Sequence, residues 1–120
     1  MKTCPGKTEW SISHFKYPCV VSQIDDLKGY DPRTHDALVF DDMTFNDWPT
    51  EDVIHLLDRT RSRSIKCRYF NVKIPADVPK IFVHNVGNIF YTDATNAEHV
   101  RAITRRHSVC EITASLIRNI

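Results

Sequence analysis

The chain has 120 residues, of which 42% are hydrophobic and 26% are charged, and its formal net charge is +1. This length predicts one domain with a modest core, and the composition excludes the disordered and collagen-like classes. No run approaches the roughly 18 consecutive apolar residues of a membrane span, so no membrane partner is expected. The four cysteines form no C-x-x-C pair and no signal segment is recognisable, so we expect an intracellular protein with free, buried thiols.

Charge is distributed unevenly along the chain. Residues 1–58 carry five Lys and Arg against eleven Asp and Glu, a net of −6, whereas residues 59–120 carry eleven against four, a net of +7. This separation indicates an acidic half that can bind a metal and a basic half that can bind an anionic polymer. Two solvated surfaces of opposite charge would have the same pattern.

The predicted elements alternate between helices and strands. One apolar run, residues 37–40, shows no alternation with polar residues, which is typical of a strand buried on both faces. Helices between strands of this kind predict an α/β sandwich with a mainly parallel sheet. In the first half of the chain we predict a helix at 7–15, strands at 19–21 and 37–40, and a helix capped by Thr50. In the second half we predict a hairpin with arms at 65–69 and 72–74, followed by a strand at 81–83. A last helix is predicted at 96–106, and a capping box formed by Thr95 and Glu98 marks its start.

Residues 6–8, with the sequence GKT, match the end of a phosphate-binding loop. In such a loop main-chain N–H groups surround the phosphates, the lysine (Lys7) reaches the outer ones, and the hydroxyl (Thr8) binds Mg²⁺. Asp41 and Asp42 follow the buried strand, where one carboxylate can hold the metal and the other can polarise the attacking water. Taken alone, GKT is a weak signal, and paired acids after a strand are also typical of a turn.

Polar and basic residues also follow the next strand and the last helix. Asn85 comes after the strand at 81–83, and its amide can hydrogen-bond a terminal phosphate and a water. Because ligands bind beyond the carboxyl ends of parallel strands, we expect Asp41, Asp42 and Asn85 on one rim, although Asn is common wherever strands end. Arg105 and Arg106 can reach a phosphate in a neighbouring subunit, or simply interact with the end of their own helix.

The predicted hairpin is basic and aromatic. Its cations are Lys66, Arg68 and Lys73, and Tyr69 and Phe70 lie beside them. This combination suits a single strand of nucleic acid, because phosphates bind cations and bases stack on rings. A hairpin with a solvated basic face would have the same sequence.

The ordered motifs GKT, LVFDDM, IFVHN and AITRR resemble the superfamily 3 helicase domain of replication-associated (Rep) proteins. These are the rolling-circle initiators of circular single-stranded DNA viruses and related plasmids. The resemblance covers nearly the whole chain and is most specific between residues 37 and 85. It implies a P-loop NTPase fold, an AAA+-like three-layer sandwich over residues 1–120. The start of the phosphate loop is then truncated, because Met1 stands where the loop's first glycine is expected.

The resemblance also implies an activity, which is ATP hydrolysis with Mg²⁺ by the motor of a DNA helicase. Its implied partners are single-stranded DNA and further copies of the chain in a hexameric ring, and its implied location is the nucleus of a host cell. The implied roles are phosphate binding by Gly6, Lys7 and Thr8, metal binding by Thr8 and Asp41, catalysis by Asp41, Asp42, Asn85 and an arginine finger at Arg105 or Arg106, and DNA binding by Lys66, Arg68 and Lys73.

Two other functions fit the residues. The incomplete phosphate loop is also expected of an inactive fragment or viral relic that binds nucleic acid without ATP turnover. GKT by itself is shared with small nucleotide and metabolite kinases, although the paired acids after a buried strand count against that class. Nothing in the sequence matches the nuclease domain of the Rep family, so nicking and joining of DNA are not expected.

Overall fold

The computed structural model describes residues 7–84 and 88–108, which form an α/β structure around a parallel sheet. Within these residues, no helix has the length and apolar character required to cross a membrane. The elements in chain order are α1 (Lys7–Ile12), β1 (Pro18–Val21), a 3₁₀ helix (Ile24–Gly29), β2 (Ala37–Asp41), α2 (Thr50–Leu57), β3 (Arg63–Lys66), β4 (Asn71–Ile74), β5 (Lys80–Val83) and α3 (Ala97–Thr104).

The sheet has the strand order β1, β2, β5, and both strand pairs are parallel. Its central strand is β2, in which residues 37–40 are at most 1% exposed. The apolar run therefore forms a strand buried on both faces, as predicted. The α/β class and the parallel sheet are also confirmed, whereas β3 and β4 form a separate antiparallel pair.

The two faces of β2 pack against different parts of the molecule. Leu38 and Phe40 belong to the main hydrophobic core, which also contains side chains of α2 and α3. Successive side chains of a strand point to opposite faces, so Asp41 lies on the other face, together with Val39. Helix α1 covers that second face, because its Thr8 contacts Asp41. The alternation of β2 thus places its terminal carboxylate under α1.

Aromatic side chains fill the main core beside the sheet. The rings of Phe40 and Phe82, on neighbouring strands, are stacked with centroids 4.7 Å apart. Phe45 meets both rings edge-on, at 6.0 and 5.7 Å. Phe90 stacks on Phe45 at 5.9 Å and therefore ties the segment before α3 to the loop after β2. These contacts hold the carboxyl ends of β2 and β5 in register.

The hairpin forms, but its strands are displaced from the predicted arms: β3 begins two residues earlier and ends three residues earlier than predicted, and β4 begins one residue earlier. Cross-strand partners run from Arg63 opposite Ile74 to Lys66 opposite Asn71, so residues 67–70 make the turn. The turn is closed by a hydrogen bond from the N–H of Cys67 to the carbonyl of Phe70, at 2.8 Å.

Helix α1 ends earlier than predicted, at Ile12 rather than residue 15. The hydroxyl of Ser13 donates to the carbonyl of Trp10 at 2.6 Å, and Nδ1 of His14 lies 2.8 Å from the same oxygen. Side chains that bond a nearby carbonyl compete with the helical pattern, so the helix stops there.

The predicted helix caps are displaced by one residue. Thr50 is the first residue of α2, and Pro49 occupies the N-cap position without a side-chain bond. At α3 the cap is Asn96, whose side-chain oxygen accepts from the N–H of Glu98 at 2.7 Å. Thr95 instead accepts from the N–H of Thr92. Helix α3 ends at Thr104, two residues before the predicted end, and the 3₁₀ helix was not predicted.

Two of the four cysteines lie in the described part of the chain, and both are buried and free, as predicted. Burial raises the pKa of the Cys19 and Cys67 thiols, and the nearby carboxylates of Asp26 and Asp25, respectively, raise it further. Cys4 and Cys110 lie outside the described residues.

Candidate functional site

Three elements meet at the carboxyl end of the parallel sheet. The hydroxyl of Thr8, at the start of α1, donates a hydrogen bond of 2.8 Å to Oδ1 of Asp41 at the end of β2. The ammonium of Lys7 donates to the carbonyl of His84, directly after β5, at 3.0 Å. Because β2 and β5 are neighbours, these contacts bring Lys7, Thr8 and Asp41 into one cluster. All three residues are partly exposed, so the cluster is open to a ligand.

Asp42 turns the chain away from the sheet immediately after this cluster. Its φ of 57° lies in the left-handed region, which most residues with a side chain avoid and which Asp tolerates better than most. Its N–H donates to the carbonyl of Val83 at 2.8 Å, so the turn is fixed to β5. The side chain itself is exposed. Asp41 and Asp42 therefore differ in position, with one carboxylate bonded to α1 and the other facing solvent.

Two residues predicted for this site lie outside the described residues. They are Gly6, which precedes Lys7, and Asn85, which follows His84. The described part of the predicted rim therefore consists of Asp41 and Asp42.

The two candidate finger arginines have different surroundings. Arg106 donates from Nη1 to the carbonyl of Ala102 at 2.8 Å, which is the ordinary use of a cation at the end of its own helix. Arg105 caps α3 through its main chain, and its side chain is exposed. Within the described chain, neither side chain contacts Thr8 or Asp41.

The three predicted DNA-binding cations are all exposed on the hairpin. Lys66 lies opposite Asn71 and Lys73 lies opposite Ser64, and partners in an antiparallel pair point to the same face. Because Ser64 and Lys66 are two residues apart on β3, Lys66 and Lys73 share the outer face of the hairpin. Arg68 lies in the turn, with its guanidinium carbon 5.1 Å from the centre of the Tyr69 ring. Tyr69 is 81% exposed and can take a stacked base. The ring of Phe70 is partly buried and packs against the main core, so Tyr69 is the more exposed of the two aromatic residues in the turn.

A charged network that was not predicted from the sequence lies at the other end of the hairpin. The carboxylate of Asp58 accepts from the hydroxyl and N–H of Thr60, at 2.7 and 2.9 Å, and pairs with Arg63, at 2.9 Å to Nε and 2.8 Å to Nη2. The bonds from Thr60, together with the Arg63 guanidinium, hold the pKa of the Asp58 carboxyl well below its usual range, although burial opposes them. The sequence does contain an indication of this network, because Asp58 follows a predicted helix and stands two residues before Thr60, a spacing typical of a turn closed by an Asp side chain.

A lysine at the start of β5 lies beside this network. Nζ of Lys80 donates to the main-chain carbonyl of Asp58 at 3.4 Å. Burial lowers the pKa of Lys80, the nearby charge of Arg59 lowers it further, and Asp58 opposes both. Lys80 stands at the amino end of β5, so this basic region and the Thr8–Asp41 cluster lie at opposite ends of the sheet.

The described residues contain no group of three His, Cys, Asp or Glu side chains that converge as metal ligands. Magnesium sites that hold a nucleotide do not require such a group, because one or two protein oxygens suffice when phosphates and waters complete the shell. Among the described residues, the Thr8 hydroxyl and the Asp41 carboxylate are oxygens that could serve in this way.

No protein-family model matches the chain, and no curated protein matches it in sequence. Function is therefore inferred from the geometry of the described residues and from the motifs.

Proposed function

We propose that the chain hydrolyses ATP with Mg²⁺ at the carboxyl end of its parallel sheet, as the motor domain of a rolling-circle replication initiator. The observation that carries the proposal is the hydrogen bond between Thr8 and Asp41, 2.8 Å long. It joins the hydroxyl of the GKT motif to the first acid after the buried strand, the two protein groups that a phosphate-binding site needs for magnesium. The parallel order β1, β2, β5 with α1 over the end of β2 supports a P-loop NTPase fold.

The donor set fits magnesium. Octahedral Mg²⁺ takes oxygen ligands at about 2.0–2.1 Å, so neighbouring ligand oxygens lie about 2.9 Å apart. The oxygens of Thr8 and Asp41 are 2.8 Å apart and have this spacing already. When bound, the metal would neutralise charge on the phosphate oxygens. Thr8 and Asp41 would hold it with little rearrangement.

The remaining roles follow from position. Lys7 extends to the end of β5, where its ammonium can bind an outer phosphate. The exposed carboxylate of Asp42 can orient a water and accept its proton, and Asn85 is proposed as the sensor of the terminal phosphate. Of the two candidate fingers, Arg105 is the one whose side chain is exposed and available to a neighbouring subunit in a homo-oligomeric ring.

The test is magnesium-dependent ATP hydrolysis by the 120-residue chain, with and without single-stranded DNA. We expect turnover that DNA stimulates and that Lys7→Ala and Asp42→Asn abolish. Asp47→Asn removes a nearby exposed acid that has no assigned role and is the matched control. Turnover at the wild-type rate in Asp42→Asn would refute the assignment of the acids, and equal turnover in Lys7→Ala would refute the site.

A second candidate function is binding of single-stranded nucleic acid without ATP turnover, and the hairpin favours it. Tyr69 is 81% exposed beside Arg68, and Lys66 and Lys73 share the outer face. Loss of a stacked base costs roughly 1–3 kcal/mol, so Tyr69→Ala should weaken binding about 5- to 150-fold. Tyr17→Ala is the matched control, because Tyr17 is also exposed and lies under Lys16, with 5.6 Å between Nζ and the ring centre. Equal affinity of the two variants would contradict this function.

A further inference from the structure

Two exposed arginines, Arg59 and Arg61, lie at the base of the hairpin in the loop that joins α2 to β3. No role was assigned to them from the sequence. In residues 7–84 and 88–108 the ion pairs within 4.0 Å are Arg33 with Asp31 and Arg63 with Asp58. Neither Arg59 nor Arg61 therefore forms an ion pair with a carboxylate of the described residues.

The loop that carries these arginines is fixed in place. Its main chain is tied to the loop before β5, because the N–H of Asp77 donates to the carbonyl of Arg59 at 3.0 Å. Lys80 adds a bond to the carbonyl of Asp58. The Asp58 carboxylate accepts hydrogen bonds from Thr60 and Arg63. The nearest buried acid is thus already paired, and the arginines are presented on a rigid support.

Like charges lie close together at this end of the sheet. Burial lowers the pKa of Lys80, the nearby charge of Arg59 lowers it further, and Asp58 opposes both effects. Cations held near one another repel, and an anionic ligand that binds there relieves their repulsion. The arrangement therefore favours an anion at the base of the hairpin.

The loop that carries Arg59 and Arg61 leads directly into β3, and further cations lie on the outer face of the hairpin. Lys73 and Lys66 occupy that face, and Arg68 follows in the turn. Two acids close to these cations, Asp25 and Asp52, make no ion pair with them among the described residues. The carboxylate of Asp25 accepts from the main-chain N–H of Arg68, and Asp52 lines a crevice together with Lys66. We name these cations the basic track, formed by Arg59, Arg61, Lys66, Arg68 and Lys73.

We propose that a single nucleic-acid strand lies along the whole basic track, from Tyr69 at the turn to Arg59 and Arg61 at the base. This inference rests on the second candidate function, nucleic-acid binding, and it extends that site from three cations to five. The phosphates contact the cations, and unpaired bases stack at the Tyr69 end. Stacking on an exposed ring requires unpaired bases, so the ligand is a single strand rather than a duplex.

The number of cations predicts the salt dependence of binding. For single strands, the logarithm of the binding constant falls with the logarithm of salt concentration, with a slope of about −0.7 for each neutralised phosphate. Three cations give a slope of about −2, and five give about −3.5. Removal of Arg59 and Arg61 should therefore make the slope shallower by about 1.4.

The experiment measures fluorescence anisotropy of a labelled oligothymidylate of about 15 nucleotides, close to the upper site size of single-strand binding folds. Four proteins are titrated at several salt concentrations: the wild type, Arg59→Ala/Arg61→Ala, Lys66→Ala/Lys73→Ala, and Lys16→Ala/Arg33→Ala. The last variant loses the same charge from exposed residues outside the hairpin, because Lys16 precedes β1 and Arg33 lies in the loop before β2. An unlabelled duplex of equal length serves as competitor.

We expect the variants of the base and of the outer face each to bind more weakly with a shallower slope, whereas the control keeps the wild-type slope. A base variant that behaves like the control while the outer-face variant weakens would overturn the extended track and leave hairpin binding intact. Absence of binding by the wild type, or an outer-face variant with unchanged affinity, would overturn both. Equal competition by the duplex would overturn the assignment to a single strand.

Discussion

The hydroxyl of Thr8 donates to the carboxylate of Asp41 across the junction between α1 and β2. The contact fixes α1 to the carboxyl end of the sheet, where β2 ends. If the proposed metal site is correct, stability and metal binding both depend on this one bond, and substitutions of Thr8 can separate the two.

Thr8→Val keeps the shape of the side chain and removes the hydroxyl. We expect the free energy of unfolding to fall by about 1 kcal/mol, because a partly buried acceptor loses its partner. Magnesium-dependent ATP turnover should fall by at least the roughly 10- to 100-fold typical of lost outer-shell metal contacts. Thr8→Ser restores the hydroxyl and is the control, so turnover close to wild type is expected for it. Urea unfolding and a magnesium titration of turnover measure the two effects.

Asp42 has a positive φ, which makes its replacements informative about strain. Asp42→Gly relieves the left-handed backbone, whereas Asp42→Ala should be about 1 kcal/mol less stable than the Gly variant. Asp42→Asn keeps the local preference and removes the charge. We expect all three variants to lose ATP turnover whatever their stability, which chemical denaturation and a turnover assay check together. Full turnover in the Gly variant would mean that this carboxylate takes no part in catalysis.

The pair of Asp58 and Arg63 should control stability in acid. The side chain of Asp58 is 5% exposed, and its pKa is depressed in the folded state. A depressed carboxyl pKa stabilises the fold at every pH above the unfolded value of about 3.9, and this stability is lost as the pH falls from there through the folded value. Asp58→Asn should therefore cost about 3 kcal/mol at pH 7 and flatten the acid limb of the stability curve below pH 4. An acid limb of unchanged depth in this variant would contradict the prediction.

The charge of Lys80 should destabilise the folded protein. Its folded pKa is lowered, so the unfolded chain binds the proton more tightly and stability rises as the pH increases from the folded value toward 10.5. We expect Lys80→Met to raise the free energy of unfolding by about 1 kcal/mol at pH 7, because the stem of the side chain is replaced and the desolvated charge is removed. Unfolding curves between pH 7 and 10.5 should show this gain shrinking. A gain independent of pH would assign the effect to packing alone.

The elements that the sequence predicted best are those with strong local patterns. The strand β2 could be predicted from its apolar run, because all of its side chains up to Phe40 are buried and no polar residue interrupts the run. The rule that the carboxyl ends of parallel strands share one edge predicted a common rim for Asp41, Asp42 and Asn85. The proximity of Thr8 to Asp41 was expected from the GKT motif, because both groups were assigned to one magnesium ion. The motifs thus supplied most of the candidate site.

The remaining features depend on contacts between distant segments. Phe70 and Tyr69 are adjacent aromatics in one turn, and the turn geometry decides which ring enters the core. The helix ends at Ile12 and at Asn96 depend on single hydrogen bonds that shift a boundary by a few residues. The basic track could be recognised only from the register of β3 with β4 and from the ion pair between Asp58 and Arg63. The composition of the segment indicates neither of these features.

The two buried thiols in the described part of the chain can report local unfolding, because each reacts with a labelling reagent only when its surroundings open. Cys19 lies in β1 of the sheet and Cys67 in the turn of the hairpin, and both react as thiolates only after exposure to solvent. With Cys4 and Cys110 replaced by serine, the labelling rate of Cys67 reports local opening of the hairpin, and that of Cys19 reports separation of the sheet. The free-energy gap between the two events measures how independently the hairpin can move while the parallel sheet stays assembled.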